Sequence, residues 1–378
     1  MKSLRLTAVG GALGLAVLIG ASPAHAADQT PADTLKAGAQ QGVADGYPGV
    51  IGLIRDGGST QRVQAGVGKV GTKVPADPKA QFRIGSNTKA FTATVLLQLE
   101  SEHRLSLDDS VAKWLPGVVA ANGYDGAKIT VRQLLNHTSG LPDYIGSPQI
   151  AGPYAVDANA RQSYPPQTLV NIALALRKPV TAPGEKFDYA NTNYVLAGMV
   201  IKAVTGNDVA SEVHKRIIEP LGLHDTTFPT KDPALYGNYL HGYVHPAVFY
   251  IQDVTVSNVQ LFGPAGAMVS TLDDLATFTR ALLSGRLLPP RQMAELKTTV
   301  PTSDGKTRYG LGIQHAQTPC GKWVWEHTGA VLGYYSFWLS SEDGTKQVVQ
   351  ANTEYHLILG TPGQTHTGYA ALNAYCAL

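Results

Sequence analysis

Ser86 and Lys89 are the residues whose spacing most directly suggests chemistry. They stand in Phe82-Arg83-Ile84-Gly85-Ser86-Asn87-Thr88-Lys89-Ala90-Phe91, where a short apolar approach ends at Gly85. A helix-compatible run free of Gly and Pro then covers Ala90 to Leu99. Helix positions three apart share a face, so the Lys89 amine can reach the Ser86 hydroxyl. A serine hydroxyl is a poor nucleophile until a neighbouring base takes its proton. A lysine is that base only when burial or nearby positive charge lowers its pKa. N–H groups at the helix start can also hold a developing oxyanion. Alone the pair is a weak signal, because Ser-x-x-Lys arises by chance, and the plainer reading is an N-cap serine beside a solvated lysine.

Two further groups change that balance. Asp188-Tyr189-Ala190-Asn191 precedes a helix pattern that begins near Asn193. A tyrosine at such a junction can present its phenol to a cleft and, with a depressed pKa near a lysine, relay protons. Asn191 offers an amide donor and an acceptor, for a substrate carbonyl or for Lys89. Near the C-terminus, His327-Thr328-Gly329 lies inside strand-like Val324 to Leu332. A substrate can pair with the edge of such a strand, with Gly329 permitting close approach and Thr328 bonding a carboxylate or carbonyl. His327 is expected to titrate near neutrality, as free imidazole does at about 6.5. His137-Thr138-Ser139-Gly140 has a similar look, but it ends a helix pattern before a loop and reads as structural.

These groups must be held by the elements around them. The pattern predicts a helix over Asp33 to Ala44 and a hairpin of Pro48 to Asp56 with Thr60 to Gly66, turned at Gly57-Gly58. Helices follow over Leu107 to Leu115, Thr130 to Asn136, Gln167 to Leu176, Asn193 to Val204 and Ala210 to Ile218, joined by Pro/Gly-rich loops. Tyr236 to Ser257 is Tyr-rich and irregular, a candidate wall for an active site. Beyond it come helices over Leu272 to Leu283 and Arg291 to Leu296. Strands over Tyr309 to Gln314, Trp323 to Leu339 with an internal turn, and Gln347 to Ala351 precede a terminal helix to about Tyr375. Strands at both ends and helices between them imply an α/β (α+β) fold. Its antiparallel sheet is built from both chain ends, roughly 27–95 and 265–378, flanked by helices, with a mostly helical insertion over 96–264.

Residues 1–26 read as an export signal. Lys2 and Arg5 are basic, Leu6 to Gly20 is apolar but short for a membrane span, and Ala24-His25-Ala26 is a small-x-small cleavage site. A secreted chain of residues 27–378, without a membrane anchor, is therefore expected. Losing Lys2 and Arg5 takes the net charge from +2 to zero, which argues against nucleic acid or an anionic membrane as partner. An even cysteine count in an exported protein predicts a disulfide between Cys320 and Cys376. It closes a loop that the chain-entropy model values at roughly 4 kcal/mol. No Cys/His cluster has zinc-ligand spacing, and no metal or cofactor is expected.

Ser-x-x-Lys, then Tyr-x-Asn about a hundred residues on, then a late His-Thr-Gly strand is far more specific than any one part. The combination resembles the serine β-lactamase and DD-peptidase superfamily in its class C branch, and within it the secreted D-alanyl-D-alanine carboxypeptidases. The resemblance runs through essentially the whole mature chain. It includes Ile129 to Leu141, Tyr194-Val195-Leu196-Ala197-Gly198-Met199 and Pro220-Leu221-Gly222-Leu223. It implies a β-lactamase/transpeptidase-like fold and an acyl-enzyme on Ser86, with Lys89 deprotonating the serine. Tyr189 would relay a proton to the leaving amine, and Asn191 would position Lys89 and the substrate amide. His327, Thr328 and Gly329 would form the binding strand, and the N–H groups of Ser86 and Ala330 the oxyanion hole. Whether Lys89 or Tyr189 is the acylation base stays open at this level. The implied substrates are peptidoglycan stem peptides, with β-lactams as acylating inhibitors and a monomeric enzyme. A small ester, a D-amino-acid amide or a β-lactam as true substrate are the alternatives, and a non-catalytic wall binder fits poorly with the complete Ser86, Lys89, Tyr189 set.

Two departures from the carboxypeptidase pattern stand out. Those enzymes place an arginine after the Gly-Leu-Gly strand motif to hold the substrate's free carboxylate, and a threonine after His-Thr-Gly. Here Gly310-Leu311-Gly312-Ile313 is followed by Gln314, and Ala330 follows Gly329. Arg308 or Lys322 could rescue the carboxylate site from neighbouring strands.

Overall fold

A computed structural model describes residues 30–247, 250–354 and 362–378. The expected signal segment, residues 1–26, lies outside the described residues. An eight-stranded antiparallel sheet runs Ser59–Gly66, Gly49–Asp56, Lys346–Asn352, Tyr334–Ser340, Trp323–Val331, Gln314–Gln317, Arg308–Tyr309, Val300–Pro301. The two ends of the chain meet where Gly49–Asp56 pairs with Lys346–Asn352, Leu53 opposite Val349. The sheet expected from both chain ends is therefore present, with its first hairpin turned at Gly57 and Gly58.

Helices cover both faces. Pro31–Ala44, capped by Thr30 and Asp33 in a reciprocal capping box, and Pro362–Cys376 pack on one face. Between them and the sheet lies a cluster that includes Leu35, Val63, Val324, Phe337, Leu339 and Ala371. The other face meets the main core, centred on the helix Thr88–Ser101, which is buried nearly all round. An element hydrophobic on every side belongs inside a core. The intervening chain supplies the helices Val131–Leu135, Pro166–Leu176 and Asn191–Thr205. Among the described residues, no helix is long and apolar enough to cross a membrane.

Several local expectations change. Leu107 to Leu115 yields a helix only over Val111–Trp114, started by the Ser110 side chain; the residues before it are turns. Ala210 to Ile218 is α-helical over Val209–Val213 and then widens into a π-turn over His214–Ile218. Tyr309 to Gln314 is not one strand. Gly312, at a φ of 82°, turns the chain so that Arg308–Tyr309 and Gln314–Gln317 pair as separate strands. Within irregular Tyr236 to Ser257, Tyr243–Ala247 and Tyr250–Asp253 pair with each other. Cys320 and Cys376 form the expected disulfide, tying the loop before Trp323–Val331 to the end of the terminal helix.

Candidate active site

Ser86 lies in a single tight turn, Gly85–Asn87, that feeds the helix Thr88–Ser101. Its approach strand Phe82–Arg83 pairs with Val269–Ser270, apart from the large sheet. Gly85 has a φ of 53°, and a β-carbon there would come within 2.7 Å of the Ala330 nitrogen. Gly329 likewise faces the Ile84 carbonyl so closely that no side chain fits. Two glycines thus let the serine turn press against the edge of Trp323–Val331. The buried Asn87 amide locks this approach, donating to the Ile84 carbonyl and to Ser336 Oγ, each at 2.9 Å. The N–H groups of Ser86 and Ala330, expected to form the oxyanion hole, belong to these two apposed segments.

Lys89 is fully buried, and three oxygens surround its Nζ: Asn191 Oδ1 at 2.8 Å, the Ala265 carbonyl at 2.9 Å and Ser86 Oγ at 3.0 Å. Withdrawal from water pushes its pKa from 10.5 down to about 7, against a smaller upward pull from Asp143. A neutral amine has two protons. The Asn191 and Ala265 oxygens can only accept, so they take both, and the lone pair is left facing Ser86. This is the arrangement a general base needs.

Asn191 opens the helix Asn191–Thr205. Its Nδ2 donates to Asp143 Oδ2 at 2.9 Å, which fixes the amide so that Oδ1 faces Lys89. Asp143 also caps the turn Tyr144–Gly146 through Oδ1, and loss of solvation raises its pKa. The Tyr189 phenol lies beside Ser86, and its ring centroid is 4.9 Å from Lys89 Nζ. The sequence reading made proton relay by Tyr189 conditional on a depressed phenol pKa. Burial instead pushes it above its ordinary value, the nearby Ser86 hydroxyl offsetting only part of this. The phenol therefore keeps its proton in the resting site, where Lys89 is the group placed to act as base.

His137, read from sequence as structural, is buried behind this group. Its Nδ1 accepts from the Ala190 N–H at 3.3 Å and bonds Asn193 Nδ2 at 3.0 Å, while its ring lies 4.1 Å from that of Tyr189. It holds the Tyr189 segment in place. Asp143, the Ala265 carbonyl and Tyr309 were missed as site components. They come from distant stretches, and an acid after Gly140-Leu141-Pro142 or a tyrosine before Gly310 carries no local signal of its partner.

His327 departs most from expectation. It is 1% exposed. Its Nδ1 donates to the Thr328 carbonyl at 2.6 Å, so Nε2 accepts from the Tyr309 hydroxyl at 3.0 Å. Burial, reinforced by the Lys89 charge, pushes its pKa down to about 3, and it does not titrate near neutrality. Thr328 and Ala330 are half-buried on the same strand. Gln314 is 1% exposed, sits opposite Glu326 across the strand pair, and its Oε1 has no hydrogen-bond partner among the described residues. Neither proposed rescuer is free. Arg308 is held by the Thr299 side chain and carbonyl at 2.7 and 3.0 Å, and Lys322 donates to the Cys376 carbonyl at 2.9 Å.

Serine, buried lysine and phenol on this sheet-and-helix scaffold define a serine hydrolase of the β-lactamase fold. The Beta-lactamase family model matches residues 34–356, and the chain belongs to that family. Penicillin-binding protein 4* of Bacillus subtilis is 26% identical over 328 residues, 79% of this chain and 69% of that protein. A D-stereospecific amidohydrolase from Streptomyces sp. superposes with a TM-score of 0.82 at 39% identity, over 89% of this chain and 97% of that one. A D-amino acid amidase from Ochrobactrum anthropi superposes with a TM-score of 0.81 at 27% identity, over 92% and 98%. Both of these structures are named as amide hydrolases, whereas the sequence reading placed the chain nearest the carboxypeptidases.

Proposed function

We propose that this protein hydrolyses D-configured amino-acid amides and short D-peptides through an acyl-enzyme on Ser86, after export and removal of residues 1–26. Lys89 takes the Ser86 proton as Oγ bonds the substrate carbonyl carbon. The oxyanion is received by the N–H groups of Ser86 and Ala330. The C–N bond then breaks, and Tyr189 gives the leaving amine its proton, replaced from the Lys89 ammonium. Water cleaves the ester by the reverse proton path, releasing the acid and restoring Ser86.

The observation that carries this reading is the bare carboxylate end. A free carboxylate entering a cleft loses its hydration and needs charged or multiple donors. Gln314 is buried and neutral, Ala330 has no donor, and Arg308 and Lys322 are engaged elsewhere. An amide asks for no such clamp. The similarity to two amide hydrolases supports the same choice. D-alanyl-D-alanine carboxypeptidase activity on stem peptides is the second reading, favoured by the similarity to penicillin-binding protein 4*.

The test compares kcat/KM for D-phenylalanine amide, its L-enantiomer, a matched D-ester and a D-Ala-D-Ala peptide. Amide and ester turnover with D-preference, and no gain for the free acid, is expected. Restoring a charged hydrogen bond to the carboxylate is worth about 1.5–3 kcal/mol, so a peptide acid favoured by that margin or more over its own amide would establish the carboxypeptidase instead.

A further inference from the structure

The strand Trp323–Val331 has a reverse face. Trp325 and Val331 turn into the main core, while Val324, Glu326 and Thr328 line a cavity on the opposite side, under the terminal helix. The cavity measures about 550 Å³, within the roughly 300–1,000 Å³ typical of small-molecule sites. Its walls are largely apolar: Tyr335, Phe337 and Leu339 from the next strand and Leu372 from the helix. Trp323, half exposed, stands at its edge.

Glu326 is the one carboxyl lining this space, and it forms no hydrogen bond or ion pair with any described residue. No charged group of the described residues pairs with it. Asp304 is occupied by Thr302, Thr307 and the Lys306 N–H, and Lys306 lines the cavity with an exposed side chain that does not pair with Glu326. Desolvation, with the Asp304 charge, pushes the Glu326 pKa up to about 7. A carboxyl in apolar surroundings is costly to ionise unless a cation joins it. The hydrolytic chemistry on the front of the strand makes no use of this group.

We propose that this cavity binds an amphiphilic amine, its aryl or alkyl body against Phe337, Leu339 and Leu372 and its ammonium paired with Glu326. Of the residues assigned to substrate, only Thr328 lines this cavity, and Ser86, Lys89, Tyr189 and Asn191 do not; the proposal does not depend on which substrate the Ser86 cleft takes.

Calorimetric titration of the disulfide-intact full chain with 4-phenylbutylamine, and with 4-phenylbutanol as the neutral control, tests it. The amine should bind more tightly than the alcohol at pH 8. It stays charged down to pH 6, so an affinity about tenfold weaker there reports a carboxyl that titrates at about 7. Glu326→Gln, nearly isosteric, should remove both the preference and the pH dependence, with an unchanged circular dichroism spectrum. Leu372→Trp should fill the cavity and abolish binding of both probes. Amine binding that is no tighter than the alcohol's, or that survives Glu326→Gln with its pH dependence intact, overturns the proposal, as does no binding at millimolar concentration.

Discussion

Lys89 and His327 are both buried bases, one in the serine helix and one on the facing strand, and burial has opposite consequences for them. Loss of water takes Lys89 from 10.5 to about 7 and His327 from 6.5 to about 3. The displacement is similar because the cause is the same, the cost of a charge in a medium that cannot solvate it. Their starting points differ. The lysine is brought to where it can hold or release a proton at neutral pH. The histidine is carried out of that range and becomes a fixed hydrogen-bond link between Tyr309 and the Thr328 carbonyl. A titratable residue type near a cleft is thus a poor guide to which group titrates; the environment selects it.

The comparison breaks most sharply at Lys89 itself. Lys89→Met keeps most of the volume and removes the proton acceptor, so kcat/KM should fall by ~10²–10⁴-fold. Tyr189→Phe should cost less or about as much, because the phenol serves the leaving group and is not the base. Near-wild-type turnover in either folded variant, measured with an activated D-ester and with the D-amide, would remove the assigned role. A smaller effect is expected at Asp143, whose negative charge holds the Lys89 pKa up. In Asp143→Asn the acidic limb of the kcat/KM profile, near 7 in the wild type, should move to lower pH. A limb that moves up or stays would show that Asp143 does not act on Lys89. His327→Gln should leave the position of that limb where it was, since His327 is neutral on both sides of it; a limb that disappears would hand the titration back to the histidine. The least visible effect is on stability. Between about pH 7 and 10 the unfolded chain holds a proton on Lys89 that the folded chain does not, so wild-type stability should rise with pH through that window. Lys89→Met should lose that part of the slope in urea denaturation measured at pH 7 and pH 9.

The sequence made the scaffold and the reacting atoms legible for different reasons. The Gly57-Gly58 hairpin and the helix Leu272–Leu283 announce themselves by turn chemistry and periodicity, and both stand where expected. Ser86, Lys89, Tyr189 and Asn191 were found as a spaced set, and the structure brings all four together. What stayed hidden depends on three-dimensional surroundings. The direction of the Tyr189 shift needs its burial. The His327 shift needs its enclosure beside Lys89. The Asp143–Asn191 contact joins residues 48 apart in sequence. The break at Gly310 to Ile313 was concealed by a run that reads as strand until Gly312 adopts its positive φ.

The central claim is that Lys89 is the neutral base of the free enzyme at physiological pH. Titration of its side chain answers this directly. In protein selectively labelled at lysine side chains, the Lys89 signal, assigned by its loss in Lys89→Met, would be followed by NMR from pH 5 to 10.5. A midpoint at about 7 is predicted, well separated from the surface lysines near 10.4. A Lys89 midpoint among the surface lysines would contradict the account, because the amine would then be protonated when Ser86 must give up its proton.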